Sequence, residues 1–120
     1  MDDEDFIREI AAEMLEELGF ATAVACDGLE AIELYKKAMN TPESFDMVIM
    51  DLTIPGGMGG KEAIAKLLEI DPRGKVLVSS GYANDPIMAN FGDYGFCGVV
   101  PKPYRLQTLN DTMQRILRSK

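Results

Sequence analysis

Residues Met47-Val48-Ile49-Met50 are apolar at every position and are followed at once by Asp51. A half-exposed strand would alternate and an amphipathic helix would show a period near four, so an unbroken run this short predicts a strand covered on both faces of a parallel sheet. Two later segments repeat the arrangement. Lys75-Val76-Leu77-Val78-Ser79-Ser80 ends on a hydroxyl, and the run from Cys97 to Pro101 leads into Lys102-Pro103. In open parallel sheets the working residues gather beyond the carboxyl ends of the strands. Asp51, Ser80 and Lys102 occupy those ends, one on each strand.

Helices are predicted between these strands. Ile7, Ile10, Met14, Leu15 and Leu18 recur at helical spacing, with Gly19 as the stop. Phe20 to Ala25 reads as a further short strand, and Asp27 with Glu30 three positions later marks the start of a second helix. Its buried stripe is Ala31, Ile32, Tyr35 and Ala38; Asn40 to Ser44 is a loop. Ala63, Ile64, Leu67 and Leu68 mark a third helix, halted by Asp71-Pro72, and a short helix spans about Pro86 to Phe91. Leu106, Leu109, Met113, Ile116 and Leu117 give the final helix one apolar face. Strands alternating with helices through short loops predict an α/β doubly wound parallel sheet with helices on both faces.

A chain of 120 residues is the size of one domain. Its net charge of -8 disfavours a nucleic-acid partner. The basic tail residues Arg115, Arg118 and Lys120 suit the last turns of a helix, where cations complement the dipole. There is no histidine, and Cys26 and Cys97 lie far apart, so zinc and histidine-based catalysis are not expected, nor is a disulfide. No apolar run approaches the ~20 residues of a membrane span, and Met1-Asp2-Asp3-Glu4-Asp5 is the reverse of a secretory start, so no membrane insertion and a cytoplasmic location are expected. The eight methionines read as core filling. The turn Pro55 to Gly60 lacks the order of a nucleotide-binding P-loop.

The acidic pair Asp2-Asp3, then Asp51, Ser80-Gly81 and Lys102-Pro103, in this order and spacing, resembles the receiver domain of two-component signalling, a flavodoxin-like (CheY-like) fold. The likeness covers nearly the whole chain, so residues 1–120 are expected to form one receiver domain. Asp51 to Pro55, Ser79 to Asp85 and Gly98 to Tyr104 look most like receivers of hybrid histidine kinases. The resemblance implies that Asp51 accepts a phosphoryl group from a histidine kinase, a phosphotransfer domain or a small phosphodonor. It implies Mg2+ held by Asp3 directly, by Asp2 largely through a water, by Asp51, and by the backbone carbonyl of Thr53. Lys102 would pair with one phosphate oxygen and Ser80 would hydrogen-bond another, triggering a change of shape around the fourth helix and last strand. Thr53 and Tyr82 would tune the loss of phosphate, and the Lys102-Pro103 peptide would be cis. The physical logic is clear: crowded carboxylates repel, and a hard divalent cation with oxygen ligands relieves that repulsion while neutralising an incoming phosphoryl group.

Three features depart from the family. Receivers carry an apolar central strand just before the acidic pair, where this chain has Met1. Four buried side chains at ~1.5–3 kcal/mol each amount to roughly 6–12 kcal/mol, comparable with the stability of a whole domain. The expectation is a sheet that is four-stranded, rearranged or completed by another chain, with a possible homo-oligomer. Asp2 and Asp3 would then sit at a frayed terminus, poorly organised for Mg2+. The turn from Pro55 to Gly60 has one extra residue and should be more mobile. Val99 stands where many receivers place a reporting aromatic, leaving Phe96 or Tyr104 for that task. Two other functions compete. A haloacid-dehalogenase-like phosphohydrolase would need an aspartate where Thr53 stands, and a self-association module would work without phosphate.

Overall fold

The structure, a computed structural model, describes residues 1–81 and 85–118. Three strands form one parallel sheet in the order β1-β2-β3: β1 is Val48–Asp51, β2 is Val76–Ser80 and β3 is Gly98–Pro101. Asp51 pairs in register with Ser79, and Ser80 with Pro101, so all three strands deliver their last residues to the same edge. Every residue of β2 is buried, as its central position demands. Burial of Val76, Leu77 and Val78 contributes ~1.5–3 kcal/mol per side chain.

Among the described residues five α-helices surround the sheet: α1 (Asp5–Glu17), α2 (Gly28–Ala38), α3 (Gly60–Ile70), α4 (Pro86–Ala89) and α5 (Leu106–Arg118). One core joins Ile32 and Tyr35 of α2, Ile64 and Leu67 of α3, and Met50 and Val78 of the sheet. The other joins Leu109, Met113 and Ile116 of α5 to Leu77 and Val100, with Met14 and Leu15 of α1 packed against them. The helix signals act as read. Gly19, at φ 95°, ends α1 while the Gly19 and Phe20 amides donate to the Glu16 and Leu15 carbonyls. Asp27 accepts from the Glu30 amide at 2.9 Å, but the Glu30 carboxylate reaches back four residues, to the Cys26 amide. After α4 the chain forms a 3-10 turn, Phe91–Tyr94, before β3.

The first strand region differs from expectation. Phe20 to Ala25 is not a strand. A strand needs a ladder partner, and the segment is separated from β1 by a cavity of about 620 Å³ lined by Ile7, Ala11, Leu15, Val24, Tyr35 and Ile49 among others. Among the described residues the sheet therefore has three strands rather than four, in the order β1-β2-β3. Among the described residues Met1 and Asp2 bridge the gap: the Met1 ammonium donates to the Ile49 carbonyl, the Asp51 amide donates to the Met1 carbonyl, and the Asp2 amide donates to the Ala25 carbonyl. The same gap explains why α1 has no fully buried residue and why Val48 and Ile49 are only half-buried, against the expectation of a strand covered on both faces.

Candidate functional site

Asp51 reaches the end of β1 because the apolar residues before it hold that strand between two helical layers, and it remains buried there. Asp2 is brought beside it by the Met1 bridge and is 3% exposed. The expected frayed terminus is thus not what the structure shows. Main-chain bonds fix Met1 and Asp2 from both sides, Asp2 Oδ1 accepts from the Glu4 amide at 3.0 Å, and Arg8 Nη1 donates to the Asp2 carbonyl at 2.8 Å.

Lys102 follows β3 directly, its amide donating to the Ser80 carbonyl, and the Lys102-Pro103 peptide is cis as expected. Its Nζ lies 2.5 Å from Asp2 Oδ2 and 3.2 Å from Asp51 Oδ2. Burial alone would pull the Lys102 ammonium down, but its bond to Asp2 and the charges of Asp51 and Asp2 outweigh burial and hold it above the ordinary lysine value. The Asp51 carboxyl is pushed up, first by burial and then by the negative charges of Asp2 and Asp3, with Lys102 pulling the other way. The site therefore carries more negative charge than its one lysine neutralises.

Of the expected metal ligands, Asp2 and Asp51 meet through Lys102, and Asp3 lies next to Asp2 on the exposed side. Carboxylate oxygens of Asp2, Asp3 and Glu4 lie within 4.8 Å of one another. Glu4 was not anticipated; its signal is the Asp2-x-Glu4 spacing, in which an aspartate side chain accepts from the amide two residues on. Thr53 is exposed two residues beyond Asp51. An all-oxygen donor set with surplus negative charge fits a hard divalent cation.

Ser80 is buried at the end of β2. Its neighbour Ser79 shares a 2.8 Å hydrogen bond with the Tyr104 hydroxyl, which separates the two serines: Ser79 is committed to the core side. Burial pushes the Tyr104 phenol up, so Tyr104 stays neutral and tethers the segment after Lys102 to β2. Tyr82 lies outside the described residues. Phe96 is buried and Val99 half-buried, both in the α2-α3 core. The turn from Pro55 to Gly60 is bonded at both ends: the Gly28 amide donates to the Met58 carbonyl at 2.7 Å and the Gly60 amide to the Leu52 carbonyl at 3.1 Å. A Cβ at Gly59 would stand 2.4 Å from the Leu52 carbonyl oxygen, so this close approach requires glycine. Cys26 and Cys97 are both free thiols. Among the described residues no helix is long and apolar enough to cross a membrane.

Comparison with known proteins converges on one family. The model of the response regulator receiver domain matches residues 1–114. The chain is 29% identical to the sensor kinase CckA of Brucella abortus over 98% of its own length, spanning 12% of that kinase. It is 27% identical to the chemotaxis protein CheY of Thermotoga maritima, covering 97% of this chain and 92% of CheY. In fold it is similar to the receiver domain of sensor histidine kinase PA1611 from Pseudomonas aeruginosa PAO1, solved with a magnesium ion in the active-site cleft, at TM-score 0.84 and 20% identity over 99% of this chain and 94% of that one. With the acid, hydroxyl and lysine gathered at one edge of a parallel sheet and the family model matched nearly end to end, the chain belongs to the response regulator receiver domains, the phosphoacceptor modules of two-component signalling.

Proposed function

We propose that Asp51 is the phosphoryl acceptor of this receiver, with Lys102 and Ser80 as its partners in the transfer. The observation that carries this reading is the Lys102 ammonium lodged between the buried carboxylates of Asp2 and Asp51. In the transfer an Asp51 oxygen attacks phosphorus. The bond from phosphorus to a donor imidazole nitrogen, or to the acyl oxygen of a small phosphodonor, breaks as the new P–O bond forms, and the leaving group departs with its electron pair. Lys102 then shifts its pairing from Asp2 to the arriving phosphoryl oxygens, and the Ser80 hydroxyl donates to another. Asp2, Asp3, Asp51 and the Thr53 carbonyl would hold Mg2+, which when bound supplies the positive charge that the lysine alone does not. The donor would be a histidine kinase or phosphotransfer domain, a reading supported by the likeness to a sensor kinase. Residues 1–120 would act as a single receiver unit.

Acetyl phosphate with Mg2+, followed by intact-mass measurement, tests this. The wild-type chain should gain one phosphoryl group that Asp51→Asn does not. Equal gain by both chains, or by neither, would overturn the assignment of Asp51. Sustained turnover of the donor without a labelled protein would favour a hydrolase instead.

A further inference from the structure

Two hydrogen bonds tie the end of β2 to the segment that leaves β3. The Lys102 amide donates to the Ser80 carbonyl at 3.1 Å, and the hydroxyls of Ser79 and Tyr104 share a bond of 2.8 Å. The first is a main-chain bond that any residue but proline could make; the second requires a hydroxyl at both positions. Side chains alternate along β2, with Val76 and Val78 in the α2-α3 core and Leu77 in the α5 core, so Ser79 shares the face of Leu77 while Ser80 turns to the other. Ser79 is completely buried, and Tyr104 packs against the α5 core. In such apolar surroundings a hydroxyl without its partner carries a desolvation cost, which holds the pair together.

Lys102 lies between these two anchors. Its own amide is fixed to Ser80, and Tyr104, two residues on, is fixed to Ser79, so the stem that carries Nζ to 3.2 Å from Asp51 Oδ2 starts from a backbone held at both ends. Ser80 is governed by the same bond, because the residue before it is the one that Tyr104 grips. The cation and the hydroxyl proposed as partners of Asp51 thus share one frame. Positioning supplies much of the rate of phosphoryl transfer, and a displacement of about 1 Å can cost ~100-fold.

We propose that the hydroxyl pair of Ser79 and Tyr104 is a latch that sets Lys102 and Ser80 for phosphoryl transfer, which makes Tyr104 a positioning residue of that reaction; the role rests on Asp51 being the acceptor. The two hydroxyls are bonded to each other, so the latch acts through the main chain.

The test uses the full chain and its Tyr104→Phe, Ser79→Ala and doubly substituted variants, at a temperature where melting shows each to be folded. The double variant leaves no unpaired hydroxyl and keeps the test open if a single one unfolds. Phosphoryl gain from acetyl phosphate is timed by intact mass across a Mg2+ titration. Each single variant should lose about fivefold or more in the rate reached at saturating Mg2+, with half-saturating Mg2+ unchanged, since no proposed ligand has been removed. The double variant should be no slower than either single one, because the same bond is lost in all three. Amide exchange, read without metal or phosphodonor, should be about tenfold faster at Lys102 in each variant. It should be unaltered at Val48, whose bond to the Lys75 carbonyl lies at the other end of the sheet. Unchanged rates or unchanged Lys102 exchange in the folded variants would overturn the proposal, as would losses that multiply in the double variant or a parallel rise in half-saturating Mg2+. A wild-type chain that gains no phosphoryl group, or gains it equally as Asp51→Asn, would overturn the acceptor reading and with it the role in transfer; normal wild-type uptake beside unmoved variants overturns the latch alone.

Discussion

Lys102 brings one positive charge to a place where Asp2 and Asp51 each bring a negative one, and all three side chains are at most 15% exposed. Taking the lysine away leaves two buried carboxylates facing each other, a loss of about 3–5 kcal/mol for such a broken pair. Lys102→Met is therefore expected to be strongly destabilised in urea at neutral pH with EDTA present. Asp51→Asn in the same chain should recover a large part, because only Asp2 is then left without its cation. Strict additivity of the two single changes, within about 0.5 kcal/mol, would refute this coupling. The pH dependence follows with its sign. Lys102 is held above 10.5 in the folded chain, so its contribution is complete below that value and is lost as pH rises through the higher one. Asp51 is raised above 3.8, so the folded chain binds that proton more tightly, and stability falls as pH climbs through the window above 3.8. Alkaline melting should thus show a decline beyond pH 10.5 that Lys102→Met lacks.

At the level of elements, Tyr35 fastens α2 to the end of α3, donating a 2.6 Å hydrogen bond to Asp71 Oδ2 while its ring is buried beside Phe45. Tyr35→Phe keeps the ring and deletes a bond to a carboxylate, so a cost of about 1.5 kcal/mol is expected in chemical denaturation; no measurable change would mean that water replaces the hydroxyl at no cost. Strand pairing makes a sharper forecast. Within β1 the Val48 amide is bonded to the Lys75 carbonyl, and the alternation of a parallel ladder turns the Ile49 amide towards the cavity that Ile49 lines, so hydrogen exchange should alternate along one strand, with Ile49 fast. Uniform protection of β1 would show the cavity to be closed in solution. These elements also mark what the sequence made legible. The unbroken apolar runs ending at Asp51 and Ser80 located β1 and β2 to within a residue, and Gly19, Asp27 and Pro72 bounded their helices, because those signals are local. Phe20 to Ala25 misled because its composition is that of a strand while its partner is missing, and pairing is not a local property. The Met1 bridge was illegible for the same reason, since it joins residues far apart in sequence through main-chain groups that every residue carries, and the bond between the Ser79 and Tyr104 hydroxyls likewise joins residues distant in sequence.

Across the whole molecule the radius of gyration is 13.1 Å, close to the ~13.6 Å of a compact chain of this length, so the cavity beside β1 does not loosen the overall shape. Charge is the property that acts at this scale. A chain of net charge -8 concentrates part of that excess around Asp2, Asp3, Glu4 and Asp51, where one lysine cannot balance it. A divalent cation entering there binds the folded chain and not the dispersed carboxylates of the unfolded one, so it should raise stability by mass action. At ten times its dissociation constant the gain is about 1.4 kcal/mol, or roughly 5 °C in melting temperature for a domain of this size. Mg2+ added against NaCl of equal ionic strength should produce that rise, and EDTA should remove it. The raised Asp51 carboxyl makes protons compete with the metal, so the gain should shrink as pH falls towards that carboxyl's range. Asp51→Asn separates site binding from general screening. It removes the proposed ligand while changing the net charge by one, so the variant should lose most of the Mg2+ gain yet keep the small response to NaCl. An undiminished gain in that variant would place the cation on Asp3 and Glu4 at the surface, away from buried Asp51.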